Sequence, residues 1–369
     1  MSAGRAPRVL VLGTLLGQPM GGVRRHNAEL LPRAAEILEA RGGSLAVMEG
    51  REPVAFPLPA RTQRIPTDAA AHPVLARFAT EGRAARQVLA NPLGAPFDLV
   101  HTAHLPAPRL AAAPFTITVH DLRHLEASGL RRSAAGALLA RALRRAARTI
   151  TVSETVRSAI LERFRIGAER VVVVPNAADH LAVRPRALSA GAPILCVGHL
   201  EPRKNLEVLL RALAFDPGLP PLELAGAGKG SEEERLRALA RELGVDGRVR
   251  FLGALADAEL PDLYARAACV ALPSRIEGFG IPAIEAQRAR VPLAIARTPA
   301  LLEVAGPGAP SFAPEDPAEC ARAIRAALAV TDAAIERGVL HAARYSWDAS
   351  ALALVDAWTA SAALRPRSR

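Results

Sequence analysis

The chain has 369 residues, half of them hydrophobic, which is enough for two domains with sizeable cores. Its formal net charge is +11, from 47 basic and 36 acidic residues, and the basic residues are 45 arginines and only two lysines. With abundant Ala, Gly and Pro, this preference for arginine indicates coding bias, and we expect no nucleic-acid partner. The three cysteines are widely spaced, which argues against a disulfide framework or a cysteine metal site. No segment approaches the roughly 18 consecutive apolar residues of a spanning helix, so we expect no transmembrane anchor.

Strands and helices alternate along the first half of the chain, a pattern typical of a parallel α/β sheet. The predicted strands are Arg8–Leu12, Ser44–Met48, Asp98–His101, Phe115–Val119, Thr149–Val152 and Val171–Val174. The predicted helices are Val23–Arg41, Ala134–Ala147 and Glu154–Phe164. The stretch from Pro53 to Pro73 is polar and rich in proline, and we interpret it as a loop.

Residues 182–192 have the composition of a linker, and a second alternating series follows them. Its predicted strands are Pro193–Val197, Leu222–Ala225, Val249–Leu252 and Cys269–Leu272. Its predicted helices are Asn205–Ala214, Glu232–Leu243 and Ala258–Ala267, with a further helix after a loop at Glu277. We therefore expect two α/β domains, residues 1–181 and 182–345, facing across a ligand cleft, and a final helix in residues 346–369.

Two carboxylates eight positions apart, Glu277 and Glu285, flank a Gly-Phe-Gly-Ile-Pro turn. Proline is favoured in the first turn of a helix, and backbone amides at a helix N-terminus attract phosphate. The amides in question belong to Phe279, Gly280 and Ile281. Each carboxylate can accept two hydroxyl hydrogen bonds, as a sugar or a ribose offers. The alternative is an ordinary strand, loop and helix with solvated glutamates.

A second motif combines Gly198, which follows a predicted strand, with the adjacent cations Arg203 and Lys204 before a predicted helix. Arginine can fork two phosphate oxygens, while lysine supplies a compact charge. A glycine turn, two cations and a helix N-terminus form a suitable diphosphate cradle. Two solvated basic residues at a helix start are the alternative.

A third candidate is His120, which with Asp121 ends a predicted strand. Polar groups at the carboxyl end of a parallel strand face the ligand crevice. A single histidine is more often structural, so the residues alone leave both roles open.

In this order, the motifs resemble the retaining nucleotide-sugar glycosyltransferases of family 4, also called glycosyl transferases group 1, which have the GT-B fold. The resemblance rests on the Glu-x7-Glu spacing that begins at Glu277, the Gly-x-x-Glu-Pro-Arg-Lys-Asn segment that begins at Gly198, and the strand-end His-Asp at His120. It extends from Val9 to about Val355 and implies two Rossmann-like domains. It also implies that the final helix, which opens at Tyr345-Ser346-Trp347, crosses back to the first domain.

The resemblance implies a role for each motif. Arg203 and Lys204 would hold the donor diphosphate, Glu277 the transferred sugar and Glu285 the ribose hydroxyls, while His120 would contact the transition state. The other implied donor contacts are Gly21, Gly22, Gly198, Gly226, Phe251, Phe279, Gly280 and Ile281. No metal and no other cofactor is implied.

The implied enzyme moves a hexose, with GDP-mannose as the first choice of donor, to a hydroxyl of a glycan or lipid-linked acceptor in polysaccharide biosynthesis. A nucleotide-sugar epimerase or hydrolase of the same fold, and a non-catalytic nucleotide-sugar-binding protein, remain alternatives. Arginines between Arg131 and Arg148 suggest peripheral contact with an anionic membrane, and a solvated helix face explains them about as well. We expect a cytoplasmic protein, at the inner face of the cell membrane if this contact forms.

Overall fold

The computed structural model describes residues 5–18, 21–92, 94–105, 113–123 and 129–364. The chain divides into two units: residues 1–176 with 347–369 form unit 1, and residues 177–346 form unit 2. The chain passes from one to the other ahead of the linker-like residues 182–192.

Unit 1 is built on a seven-stranded parallel sheet with the order β3-β2-β1-β4-β5-β6-β7. Its strands are β1 (Arg8–Leu12), β2 (Ser44–Met48), β3 (Gln63–Ile65), β4 (Leu99–Thr102), β5 (Phe115–Val119), β6 (Arg148–Thr151) and β7 (Val171–Val173). All five residues of β1 are buried, as expected for a strand with helices on both faces. The strand order reverses at β1 and β4, which is where open α/β sheets bind ligands.

Ahead of the second unit, the described residues of unit 1 form the helices α1 (Gly21–Ala40), α2 (Val74–Ala90), α3 (Gly129–Arg145) and α4 (Glu154–Phe164). Helix α4 has the predicted bounds, and the side chain of Ser153 caps its N-terminus by accepting a hydrogen bond from the amide of Val156. The interpretation of Pro53–Pro73 as a loop is wrong for β3, which pairs with β2 in parallel. A strand of three residues is too short to show alternation.

Unit 2 contains a six-stranded parallel sheet with the order β10-β9-β8-β11-β12-β13. Its strands are β8 (Ile194–Val197), β9 (Leu222–Ala225), β10 (Val249–Gly253), β11 (Cys269–Leu272), β12 (Leu293–Ala296) and β13 (Ser311–Phe312). Its helices are α5 (Leu206–Phe215), α6 (Glu232–Glu242), α7 (Leu260–Arg266), α8 (Ile281–Arg288), α9 (Pro299–Ala305), α10 (Pro317–Leu328) and α11 (Asp332–Ala342). Here the strand order reverses at β8 and β11.

The last helix, α12 (Trp347–Ala362), belongs to unit 1 and packs against α1. The side chains of Trp347 and Trp358 are fully buried there. At the surface, Asp348 pairs with Arg33 of α1 at 2.9 Å. The predicted return of the final helix to the first domain is confirmed. Within the described ranges, no helix has both the length and the apolar character that crossing a bilayer requires.

Candidate active site

Two glycine loops meet at the carboxyl edge of the sheet in unit 2. Gly198 follows β8 and Gly226 follows β9, and both have positive φ angles, 142° and 155°. A Cβ atom on Gly226 would lie 2.0 Å from the carbonyl oxygen of Gly198, so only glycine permits this approach. The two predicted glycines therefore allow the loop after β9 to pack closely against the loop after β8, which leads to the cations.

The predicted cations converge on the first carboxylate of the Glu-x7-Glu motif. The Nζ atom of Lys204 lies 2.5 Å from Oε1 of Glu277, and an Nη1–H of Arg203 donates to Oε2 at 3.3 Å. The hydroxyl of Ser274 donates to the same carboxylate at 2.8 Å. Loops from β8 and β11, 73 residues apart in sequence, are joined by these contacts.

The charges of this cluster are mutually compensated. Burial alone would raise the pKa of Glu277, but Lys204 and Arg203 outweigh it and hold that pKa below its ordinary value. The other end of the Arg203 guanidinium lies 2.6 Å from Glu201, which in turn lies 3.4 Å from Lys229. Both lysines of the chain are thus in one cluster. An anionic ligand would bind by exchanging with these carboxylates.

The second carboxylate, Glu285, lies in the second turn of α8 and is only 4% exposed. The hydroxyl of Tyr264 donates to Oε2 at 2.6 Å, and Nε2 of His180 lies 3.0 Å from Oε1. Each oxygen retains a further lone pair that a ribose hydroxyl could use. The sequence analysis missed Tyr264 and His180, which no motif marks.

The turn between the two carboxylates is part of the core of unit 2. Gly280 caps α8 with φ 94°, and a Cβ there would lie 2.6 Å from Cδ2 of Leu301. Phe279 is 3% exposed and its ring packs edge-on against Tyr345, while Ile281 is 8% exposed. Their side chains are therefore not available to a ligand, and the contacts of their backbone amides stay a prediction.

The predicted base contact, Phe251, lies in β10 and is half-buried. The guanidinium of Arg237 covers its ring, 4.2 Å from the ring centroid. This cation–π contact occupies one ring face.

In unit 1, His120 follows β5, directly beyond the buried Val119. Its Nε2 lies 3.3 Å from the carbonyl oxygen of Ala103. Burial lowers the pKa of His120 to about 4, although the hydrogen bond to Ala103 opposes this shift. Because a carbonyl only accepts, Nε2 carries the proton, and Nδ1 of the neutral ring keeps its lone pair.

A second histidine supports His120 and was missed by the sequence analysis. His26 of α1 is 2% exposed, and its ring meets that of His120 edge-to-face with centroids 4.8 Å apart. Nδ1 of His26 lies 2.8 Å from Oδ1 of Asn176. Burial lowers the pKa of His26 to about 3, so this ring is also neutral. In the sequence, the only indication of His26 is that it stands five residues after the predicted Gly21.

The remaining predicted residues of unit 1 stand apart from these contacts. Gly21 and Gly22 are the first residues of α1 and are exposed, and a Cβ on Gly22 would meet nothing within 4 Å. Asp121 accepts a hydrogen bond from the amide of Arg123, which forms a local turn. Among the described residues, no group of three or more His, Cys, Asp or Glu is arranged to hold a metal ion.

Comparisons with known proteins agree with this architecture. The family model Glycosyltransferase Family 4 matches residues 20–180, and the model Glycosyl transferases group 1 matches residues 189–335. A relative from Escherichia coli, O-antigen chain mannosyltransferase B, is 32% identical over 54% of this chain and 57% of its own length. D-inositol 3-phosphate glycosyltransferase 2 of Catenulispora acidiphila is 33% identical over 54% of this chain and 48% of its own.

The chain thus spans about half the length of these curated relatives. Among solved structures, sucrose-phosphate synthase from Thermosynechococcus elongatus superposes with a TM-score of 0.76 at 20% identity, covering 95% of this chain and 97% of that one. At this identity the likeness shows the fold. With both family models matched in succession and two Rossmann-like parallel-sheet domains, the chain belongs to glycosyltransferase family 4, the glycosyl transferases group 1, and has the GT-B fold.

Proposed function

We propose that the protein transfers a hexose from a nucleotide diphosphate sugar to a hydroxyl group of a glycan or lipid-linked acceptor, with retention at the anomeric carbon and without a metal ion. The observation that carries this proposal is the cluster of Lys204, Arg203 and Glu277 beyond β8 and β11. It joins two cations and a carboxylate where a parallel sheet binds its ligand.

The cations are the candidate diphosphate ligands. Lys204 and Arg203 are already held in place by Glu277, so little ordering remains when a diphosphate replaces part of this contact. Charge-assisted hydrogen bonds to the phosphates would then balance the charge that develops on the leaving group, a task that metal ions perform in other enzymes. Glu277, once released from one cation, can accept hydroxyl hydrogen bonds from the sugar.

The neutral ring of His120 suits a contact with the reacting sugar, where positive charge develops. A protonated imidazole would repel the positive charge of an oxocarbenium-like state, whereas the neutral ring with a free Nδ1 lone pair can accept a hydroxyl hydrogen bond. Retention follows from family resemblance: the acceptor attacks on the face from which the phosphate departs, and the departing phosphate assists its deprotonation.

GDP-mannose is the proposed donor, since one relative is named as an O-antigen chain mannosyltransferase. A thermal-shift screen of nucleoside diphosphates and their sugars would test this choice. A ligand at 100 times its Kd adds about 2.7 kcal/mol of stability. If UDP-sugars stabilise the protein and GDP-mannose does not, the donor is a UDP-sugar instead of GDP-mannose.

The acceptor is proposed to be met at a membrane surface through α3. Arg141, Arg144 and Arg145 are exposed on this helix, and Leu138 beside them is 47% exposed. The side chains of Arg131 and Arg132 lie outside the described residues. Sedimentation with vesicles should show binding that rises with anionic lipid, falls with salt and weakens when the three described arginines become Gln. Salt-independent binding would favour a soluble acceptor.

The diphosphate site is tested by calorimetry on Lys204→Ala. Losing one charge-assisted contact should weaken nucleoside diphosphate binding by about 1.5–3 kcal/mol and leave the nucleoside nearly unaffected. Arg290→Ala is the control, because Arg290 is an exposed cation that pairs with Glu336 and contacts no member of the cluster. Equal diphosphate affinity of Lys204→Ala and the parent would refute the site. Donor consumption without an acceptor would indicate an epimerase or a hydrolase.

A further inference from the structure

Three ionisable side chains form a buried cluster in unit 1 that the proposed function does not use. Arg77 and Glu81 belong to α2, His104 follows β4, and their exposed fractions are 4%, 0% and 3%. Nε2 of His104 lies 3.1 Å from Oε1 of Glu81. Burial alone would raise the pKa of Glu81, but His104, the hydroxyl of Thr14 and Arg77 together lower it, so the carboxylate is ionised inside the unit.

A buried charged cluster of this kind is weak evidence of added stability. The desolvation of buried charges offsets most of their mutual attraction, and replacing a buried ion pair with apolar residues is often neutral or stabilising. The role that remains for it is to specify one conformation of the segments that it joins.

The segment that this cluster holds is residues 103–105, directly after β4. Nη2 of Arg77 donates a hydrogen bond to the carbonyl oxygen of Leu105 at 2.9 Å, and the carboxylate of Glu81 lies against the imidazole of His104. The carbonyl oxygen of Ala103, the residue before, accepts the hydrogen bond from Nε2 of His120 at 3.3 Å. Because a carbonyl only accepts, this contact favours the tautomer of His120 that carries its proton on Nε2.

We propose that Arg77, Glu81 and His104 are positioning residues that fix the ring orientation and the tautomer of His120 through the carbonyl of Ala103. In this tautomer His120 presents a hydrogen-bond acceptor to a substrate hydroxyl, and in the other tautomer it would present a donor. The inference rests on the proposed function, because His120 is its candidate transition-state contact. Misplacement of such a group by about 1 Å can lower a rate on the order of a hundredfold.

The first experiment needs no substrate. Two-bond ¹H–¹⁵N spectra of the full chain, labelled with ¹⁵N-histidine, report the tautomer of each imidazole, and His120→Gln identifies the signal of His120. In Glu81→Gln we expect the single Nε2–H form of His120 to become a mixture of tautomers. The control Glu223→Gln alters another buried carboxylate, which pairs with two arginines in unit 2, and should leave the signal unchanged. An unchanged His120 tautomer in Glu81→Gln overturns the proposal.

A triple variant covers the case in which Glu81→Gln does not fold. Arg77→Met with Glu81→Leu and His104→Leu removes all three members and leaves none of them buried alone, so it should fold and show the same mixture of tautomers. An unchanged tautomer there also overturns the proposal.

Turnover gives the second readout. In either folded variant, turnover of the proposed transfer should fall about tenfold with an unchanged Kd for the nucleoside diphosphate, whose proposed ligands lie in unit 2. A changed tautomer with unchanged turnover overturns the positioning role. A parent chain that transfers no sugar refutes the proposed function instead, and the tautomer spectra still decide how the cluster acts on His120.

Discussion

Both units place candidate residues beyond the carboxyl ends of parallel strands, but the two sets of side chains differ in charge. In unit 1, burial lowers the pKa of His26 to about 3 and that of His120 to about 4, so both rings are neutral. His101 of β4, buried beside Thr116, has its pKa lowered to about 3 for the same reason. In unit 2, Glu277 stays ionised because the positive charges of Lys204 and Arg203 outweigh its burial.

This difference indicates a division of tasks within the proposed reaction. Neutral imidazoles can bind hydroxyl groups without repelling a developing positive charge. A preorganised set of cations can stabilise the negative charge that develops on a departing diphosphate. The fold supplies two similar strand-end positions, and the side chains make one neutral and the other charged.

The largest expected effect is acid destabilisation of unit 1. The pKa values of His26, His101 and His120 are lower in the folded chain than the ordinary 6.5, so the unfolded chain binds more protons below pH 6.5. Stability is full above pH 6.5 and is lost as the pH falls, by about 2 kcal/mol for each histidine at pH 5.

Urea denaturation at pH 7.5 and 5, followed by hydrogen exchange in each unit, would measure this loss. Unit 1 should open at lower urea than unit 2 at pH 5. Equal acid sensitivity of both units would contradict the contrast drawn between them. His101→Phe should recover part of the loss, because it removes one buried group that must be protonated on unfolding.

The glycine loops offer a second contrast. Gly226→Ala should destabilise unit 2 by about 3 kcal/mol, because the new Cβ meets the carbonyl of Gly198 at a positive φ. Gly22→Ala in unit 1 should change stability by less than about 0.5 kcal/mol, because its Cβ meets nothing. Chemical denaturation of both variants would measure the difference. If Gly22→Ala nevertheless abolishes transfer, that glycine serves a substrate and not the fold.

Glu277→Gln separates turnover from binding. We expect turnover to fall about a hundredfold, or ~2.7 kcal/mol, while nucleoside diphosphate affinity is kept, because Lys204 and Arg203 lose a competing carboxylate. Steady-state kinetics with calorimetry would check both. Glu315→Gln is the matched control, since Glu315 is exposed and pairs with Arg275. A loss of affinity equal to the loss of turnover would count against the sugar role of Glu277.

The smallest expected effect concerns Glu285. Glu285→Gln should weaken nucleoside diphosphate binding by about tenfold, or ~1.4 kcal/mol, through the ribose hydroxyls. Tyr264→Phe removes one donor to this carboxylate but keeps its charge, and should weaken binding less. Calorimetry with the ribose and 2′-deoxyribose diphosphates would show whether Glu285 contacts the sugar. If Glu285→Gln lowers stability but leaves the affinity for the diphosphate unchanged, Glu285 supports the core and does not contact the ligand.

Much of the fold followed from local patterns. Short runs rich in apolar and β-branched residues between turn signals predict strands, and β1, β2, β5, β9 and β11 have the predicted bounds for this reason. Helix α2 was not predicted, because Ala- and Arg-rich residues after a proline-rich stretch show a weak apolar stripe. Its omission matters, since α2 carries Arg77 and Glu81.

The sequence by itself determined the alternation of strands and helices and the two-domain fold, although not β3 and α2, because hydrophobic runs and turns depend on residue type and short spacing. It also predicted the motif residues Arg203, Lys204, Glu277, Glu285 and His120. Only the tertiary structure decided their partners. His26 meets Asn176 across 150 residues, and His180 meets Glu285 across 105. It also decided which groups are charged, because burial and neighbouring charges set a pKa, and both arise when distant segments pack together.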